Sequence, residues 1–153
     1  MEKKYILTRN DIINYNGHIL YRIQATKDFG DVKKGDVGGY IESEDNLSHE
    51  GNAWVKDDAW VFGNAFVADN AIVYGNAEVY DNACISENAK IGGRACIYNN
   101  AKVKGQACCS YNARIFENAL ISGDLYILGS TLVFGNVHLK GEGIIQGDIK
   151  IFS

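Results

Sequence analysis

From Gly51 onward the chain repeats every six residues, and within each hexad apolar positions alternate with polar ones. Seventeen hexads run to Phe152 without an insertion, from GNAWVK, DDAWVF and GNAFVA to GDIKIF. The fifth position is Val, Ile or Leu in sixteen of them, Cys109 being the exception. The third is Ala in the first twelve, then Leu125, Thr131, Val137, Gly143 and Ile149. Apolar third and fifth positions with variable fourth and sixth ones are the period-2 signature of a half-buried strand, predicted over positions three to six. Gly or Asp, then Asn, at positions one and two supplies a corner, because these residues tolerate positive φ and bond their own backbone. Short strands joined by identical corners cannot reverse into hairpins. The pattern therefore predicts an all-β parallel solenoid with three strands per coil.

With three hexads per coil, residues eighteen apart stack about 4.8 Å from one another. The sixth position of one face then reads Phe62, Tyr80, Tyr98, Phe116, Phe134 and Phe152, aromatic in every coil. Such a stripe stabilises the coils by stacking, and it is also a patch large enough to call for a cover. A second copy, a partner or residues 1–50 would provide it. Trp54 and Trp60 are expected to pack against the N-terminal segment.

Segments such as Ile91-Gly92-Gly93-Arg94-Ala95-Cys96 and Val61-Phe62-Gly63-Asn64-Ala65-Phe66 resemble the hexapeptide repeat of left-handed parallel β-helix proteins. The resemblance covers residues 51–152 and implies the left hand, which the period alone does not fix. The lead KKGDVGGYIESEDNLS followed by GNA and DNA hexads resembles uncharacterised repeat proteins of bacteriophages and prophages. That group brings no activity with it. It implies a non-enzymatic, homo-oligomeric interaction module in the host cytoplasm, with binding and inhibition of a host defence complex as the suggested role.

Residues 1–44 read as a small β cap with a connection, and 45–153 as the helix. Tyr5–Thr8 and His18–Thr26 read as strands around an Asn16-Gly17 turn, and Asp28–Glu44 as a glycine-rich connection. DNLSHE, residues 45–50, is nearly another hexad, with His49 at an inward fifth position. The last coil has no helix or polar cap after it, so its edge is a template for end-to-end pairing; Leu125, Val137 and Ile149 are expected to plug that end.

Composition narrows the chemistry. The chain has 153 residues, no proline, seventeen glycines and a net charge of −4. A proline-free repeat suits a backbone whose amides are committed to ladders. The acidic balance argues against nucleic acid as a partner. No apolar run approaches the ~18 residues of a membrane span, and MEKKYILTRNDI has no apolar signal region. Cys84, Cys96 and Cys108 lie twelve apart, one to a face, and Cys109 points inward, so four free thiols in a reducing compartment are expected.

The fold family that the repeat resembles includes acyltransferases with intersubunit sites and zinc carbonic anhydrases, and fold alone licenses neither. His18, His49 and His138 are too far apart along the axis to share a zinc ion. Neither catalytic residue, metal nor cofactor is assigned. One competing site is an anion groove on the face carrying Lys102, Lys104, His138 and Lys140, suited to a nucleotide or acyl-carrier phosphate in an intersubunit cleft. An acyltransferase-like enzyme working near His138 is the alternative it implies.

Overall fold

Every hexad turns its corner on its first residue. In the computed structural model, which describes residues 2–153, all seventeen first positions from Gly51 to Gly147 have positive φ. Ten are glycine; Asp57, Asp69, Asp81, Glu87, Asn99, Tyr111 and Glu117 take φ of 57–59° instead. The third-position amide closes the turn on the preceding sixth-position carbonyl, as Ala65 N–H donates to Phe62 O at 3.3 Å. Acidic first positions also tie neighbouring coils. The carboxylate of Asp57 accepts from Gly75 N–H at 2.9 Å, Asp69 from Glu87 N–H at 2.9 Å and Glu87 from Gly105 N–H at 2.7 Å. A side chain at these corners thus offsets part of the cost of its left-handed backbone.

The corners generate three parallel sheets. Face 1 carries Trp60–Val61 and then a strand every eighteen residues to Lys150–Ile151. Face 2 runs from Trp54–Val55 to Glu142–Ile145, and face 3 from Phe66–Val67 to His138–Leu139. Third and fifth positions point inward: Ala53 through Ala119 and Val55 through Val133 are 0–1% exposed. Alanine at the third position of the first twelve hexads keeps the lumen narrow there, and the Val and Ile side chains of the fifth positions fill it. The architecture is the all-β solenoid with three strands per coil that the repeat predicts.

Two N-terminal strands, β1 (Tyr5–Tyr15) and β2 (His18–Ala25), form the antiparallel hairpin, turning on Asn16 (φ 50°) and Gly17 (φ 87°). β1 extends well past Thr8, with a bulge between Leu7 and Ile12. A third strand, β3 (Val37–Ile41), lies inside the segment read from sequence as connection. It pairs antiparallel with β2 and parallel with Trp60–Val61, so the parallel ladder opens here, ahead of residue 45. Gly38 and Gly39 permit this: a Cβ there would stand 2.5 Å from the Val55 carbonyl and 2.7 Å from that of Ala59.

The frame of DNLSHE also differs from the sequence reading. Leu47, not His49, takes the inward place, bridging Val67 and fully buried. Ile41 and Leu47 are six residues apart, whereas Leu47 and Val55 are eight apart. His49 and Glu50 are the two extra residues. His49 lies outside the ladder, stacked on Tyr5 with centroids 4.1 Å apart. Its Nδ1 accepts Lys4 N–H at 3.2 Å, leaving Nε2–H to donate to Glu44 at 2.7 Å.

The two ends of the solenoid are treated differently. At the head the three sheets are treated individually. β3, β2 and β1 extend face 1, with β1 as its outermost strand. On face 2 the buried Lys4 Nζ donates to Ala53 O at 2.7 Å and Gly51 O at 3.1 Å, with its charge 4.7 Å from the Phe29 ring. On face 3 the buried Asn46 Nδ2 donates to Ala65 O at 2.8 Å and Gly63 O at 3.1 Å. At the tail, His138–Leu139, Glu142–Ile145 and Lys150–Ile151 are the outer strands of their sheets. Leu125 is core at 6% exposure, but Ile149 is 38% exposed and Val137 only half-buried, so they do not plug the end.

Candidate functional site

Register along face 1 places the six sixth-position rings one above another. From Phe62 to Phe152 successive centroids are 5.1, 5.1, 5.0, 4.9 and 4.9 Å apart, with interplanar angles of 2–12°. Parallel stacking at the coil spacing covers each ring's faces and leaves its outer edge to solvent. The N-terminal hairpin covers only the first ring. Tyr15 and His18 contact Phe62 at 6.0 and 5.0 Å, Leu20 and Tyr40 pack on it, and it is 5% exposed. Tyr80, Tyr98, Phe116 and Phe134 are half-buried and Phe152 is 62% exposed. Burial raises the phenol pKa of Tyr80 and Tyr98 above the ordinary value, so both rings stay neutral and apolar at physiological pH. Trp54 and Trp60 meet the N-terminal segment as expected, against Phe29 at 5.2 Å and Tyr15 at 5.1 Å.

The corner after this stripe carries a second ladder. Asn82 Nδ2 donates to Asn100 Oδ1, Asn100 to Asn118 and Asn118 to Asn136, at 3.4, 3.3 and 3.1 Å. With Asp81, Glu117 and His18 these amides line an open groove of about 530 Å³. The ladder escaped the sequence reading, although its signal, Asn at the second position of every third hexad from Asn64 to Asn136, is present there. A larger groove, about 730 Å³, lies between Gly30–Val37 and face 2, where Trp54, Ile72 and Tyr74 meet Lys56 and Lys90.

On face 3 the four residues of the anion groove do not converge. All four are exposed, and the strand register puts Leu120 between Lys102 and His138. Ser122 separates Lys104 from Lys140, which stand two coils, roughly 10 Å, apart. The contact that does form is between Ser122 Oγ and His138 Nε2, at 3.1 Å. It crosses from a sixth position to a fourth position of the next coil, a diagonal that stacking alone does not reveal.

Cys84, Cys96 and Cys108 are half-buried, one on each sheet, and Cys109 is fully buried. Burial raises the pKa of all four thiols, so none is an activated nucleophile. No group of three His, Cys, Asp or Glu among the described residues is arranged to hold a metal ion. Nor is any helix among them long and apolar enough to cross a membrane. Compared with known proteins, the chain matches no family model, and no curated protein is significantly similar to it.

Proposed function

We propose that the protein is a rigid, non-enzymatic interaction module that presents the aromatic ladder of face 1 to a second copy lying alongside. One observation carries this reading: after Phe62, five stacked rings keep their edges open along five successive coils. Stacking accounts for the faces of these rings but not for the apolar edge they leave in water, and a continuous apolar strip of this length favours a cover. Because the strip is built on a straight ladder, it suits a partner with the same repeat better than a globular pocket. The resemblance of the N-terminal lead to phage and prophage repeat proteins supports the further reading that the module acts in the host cytoplasm on a host protein complex.

Light scattering across a range of concentrations tests the ladder, comparing the native chain with Phe116→Asp and Phe134→Asp. Circular dichroism and a thermal melt verify that each variant folds. The proposal expects a reduced mass in both folded variants, and a native chain whose mass does not respond to them would sink it. A second reading, an acyltransferase-like site, is favoured by the Ser122–His138 contact alone. An acetyl-CoA titration with His138→Ala as control decides it, since turnover that depends on His138 would displace the first reading.

A further inference from the structure

Gly92 on face 2 is the one glycine at a sixth position among the seventeen hexads, and it lacks the positive φ that accounts for glycine at the corners. The ring above it supplies the reason. A Cβ at Gly92 would run into Cζ, Cε2 and Cε1 of Tyr74 at nearly equal distances, Cε1 at 2.6 Å. Near-equal approach to these three atoms puts the Cβ over the plane of the ring, not beyond its edge. Tyr74 therefore lies flat on the backbone with one face against Gly92. On face 1 each inner ring gives both faces to its neighbours, whereas the outer face of Tyr74 is left to the groove between Gly30–Val37 and face 2.

The groove around this platform is polar without a dominant sign. Its volume of about 730 Å³ is that of a ligand pocket, for which roughly 300–1,000 Å³ is usual. The Lys56 ammonium stands 6.0 Å from the Tyr74 centroid, and Lys90 is exposed in the next coil. Asn52 and Asn70 enter from the corner that precedes face 2. None of the ion pairs among the described residues engages Lys56, Lys90 or Asp31. Against the two lysines stand Asp31, Asp36 and Asp57, so the lining offers no excess of positive charge to a phosphate. Mixed donors and acceptors suit hydroxyl groups, each of which both donates and accepts. A tyrosine face, negative in its quadrupole, suits polarised C–H groups laid flat on it. We propose that this groove binds a neutral saccharide, with one pyranose of glucose configuration resting its axial C–H face on Tyr74 and its hydroxyls reaching Lys56, Asn70 and Lys90. The inference makes no use of the aromatic column of face 1.

Heteronuclear NMR titration of the full chain with cellotriose and, separately, with tri-N-acetylchitotriose tests this. At least one of the two should bind with a dissociation constant on the order of 1 mM or tighter, shifting the amides around Ile72, Tyr74 and Lys90 and leaving those of face 3 in place. Tyr74→Ala removes the platform and should weaken binding about tenfold or more, whereas Tyr74→Phe keeps the ring and should stay within about threefold of the parent. Gly92→Ala is the sharper variant. Its backbone suits alanine and no polar group is lost, so only the flat seat of the ring is disturbed, and binding should fall about as far as in Tyr74→Ala. Phe116→Asp on face 1 should leave saccharide binding unchanged, which separates this site from the proposed ladder contact. Circular dichroism verifies that each variant folds. The proposal is overturned if neither sugar shifts the face 2 amides, or if binding survives both Tyr74→Ala and Gly92→Ala. Adenosine monophosphate bound more tightly than either sugar would also overturn it, assigning the groove to an anion instead.

Discussion

Asn46 is one residue whose removal should be felt along the whole solenoid. It is fully buried and makes four hydrogen bonds with its one amide. Oδ1 accepts from Ser43 N–H at 2.9 Å and Glu42 N–H at 3.1 Å, while Nδ2 donates to Ala65 O and Gly63 O. Asn46→Ala strands two backbone donors and two acceptors in the head of the stack, where water has poor access. At roughly 1 kcal/mol for each bond lost, and more for any group left unsatisfied, the expected cost is about 4 kcal/mol. That is a large part of the roughly 5–15 kcal/mol that typically holds a domain together. Asn46→Asp is the sharper variant, since it keeps the shape and both accepted bonds but turns a carboxylate toward two carbonyls. Burial and those carbonyls raise the folded pKa of the new acid, so its penalty is smaller at about pH 4 than at pH 7 and grows as pH rises from the unfolded pKa toward the folded one. Guanidinium unfolding followed by tryptophan fluorescence reads the effect directly, because Trp54 and Trp60 sit in the first two strands of the repeat. Asn118→Ala, an exposed rung of the amide ladder, is the control and should cost no more than about 0.5 kcal/mol. A loss at Asn46→Ala below about 1 kcal/mol, or equal to that of the control, would show that the head is not held by this amide.

Three further outcomes follow from single residues. Lys4 is buried and its pKa is lowered to about 8, first by desolvation and then by the charge of Lys27. Between that value and the ordinary 10.5 the unfolded chain binds the extra proton, so stability to denaturant should rise from about pH 8 to about pH 10, a slope that Lys4→Met abolishes. Cys109 should resist iodoacetamide in the folded protein while Cys84, Cys96 and Cys108 react slowly, with peptide mass mapping as the readout; labelling of Cys109 at the rate of the other three would contradict its closed site. Tyr111 holds φ of 58° with its ring 63% exposed, and Tyr111→Asn should raise the unfolding midpoint by the equivalent of about 1 kcal/mol, since Asn tolerates that backbone and can accept the amide of the next coil.

The repeat made the solenoid legible, down to the sorting of residues among faces, because each coil sees only its two neighbours and one hexad constrains the next. Positive φ at every first position, inward third and fifth positions and the aromatic column all follow from spacing alone. The first coil was hidden for two physical reasons. Its strand, β3, carries Gly38 and Gly39, which sequence reads as a loop but which close approach to face 2 and the next corner demands. The two extra residues, His49 and Glu50, then shift the frame, so the apparent hexad put the wrong side chain inside. Asn46 was invisible as a cap because corners elsewhere are full of asparagine and nothing local marks one as buried. On the surface, stacking placed Lys102, Lys104, His138 and Lys140 on one face correctly. It could not say that intervening Leu120 and Ser122 keep them apart, or that His138 leans diagonally to Ser122.

The two ladders and the unequal ends together define what such a chain can transmit. Coils bond only to adjacent coils, so the cost of ordering each one is offset by the coil headward of it and by nothing further away. The head supplies a template: an antiparallel hairpin tied to the first parallel strand, with Lys4 and Asn46 completing the other two edges. Among the described residues the coil from Asn136 to Phe152 bonds to a neighbouring coil on one side, and its Val137, Ile145 and Ile149 are partly exposed. Hydrogen exchange should accordingly be slowest at the inward positions near Val61 and Val79 and fastest from Gly141 onward. The aromatic column links the same coils on the outside, so a contact anywhere along it stiffens its immediate neighbours first. Binding in this architecture therefore acts through local order along one axis.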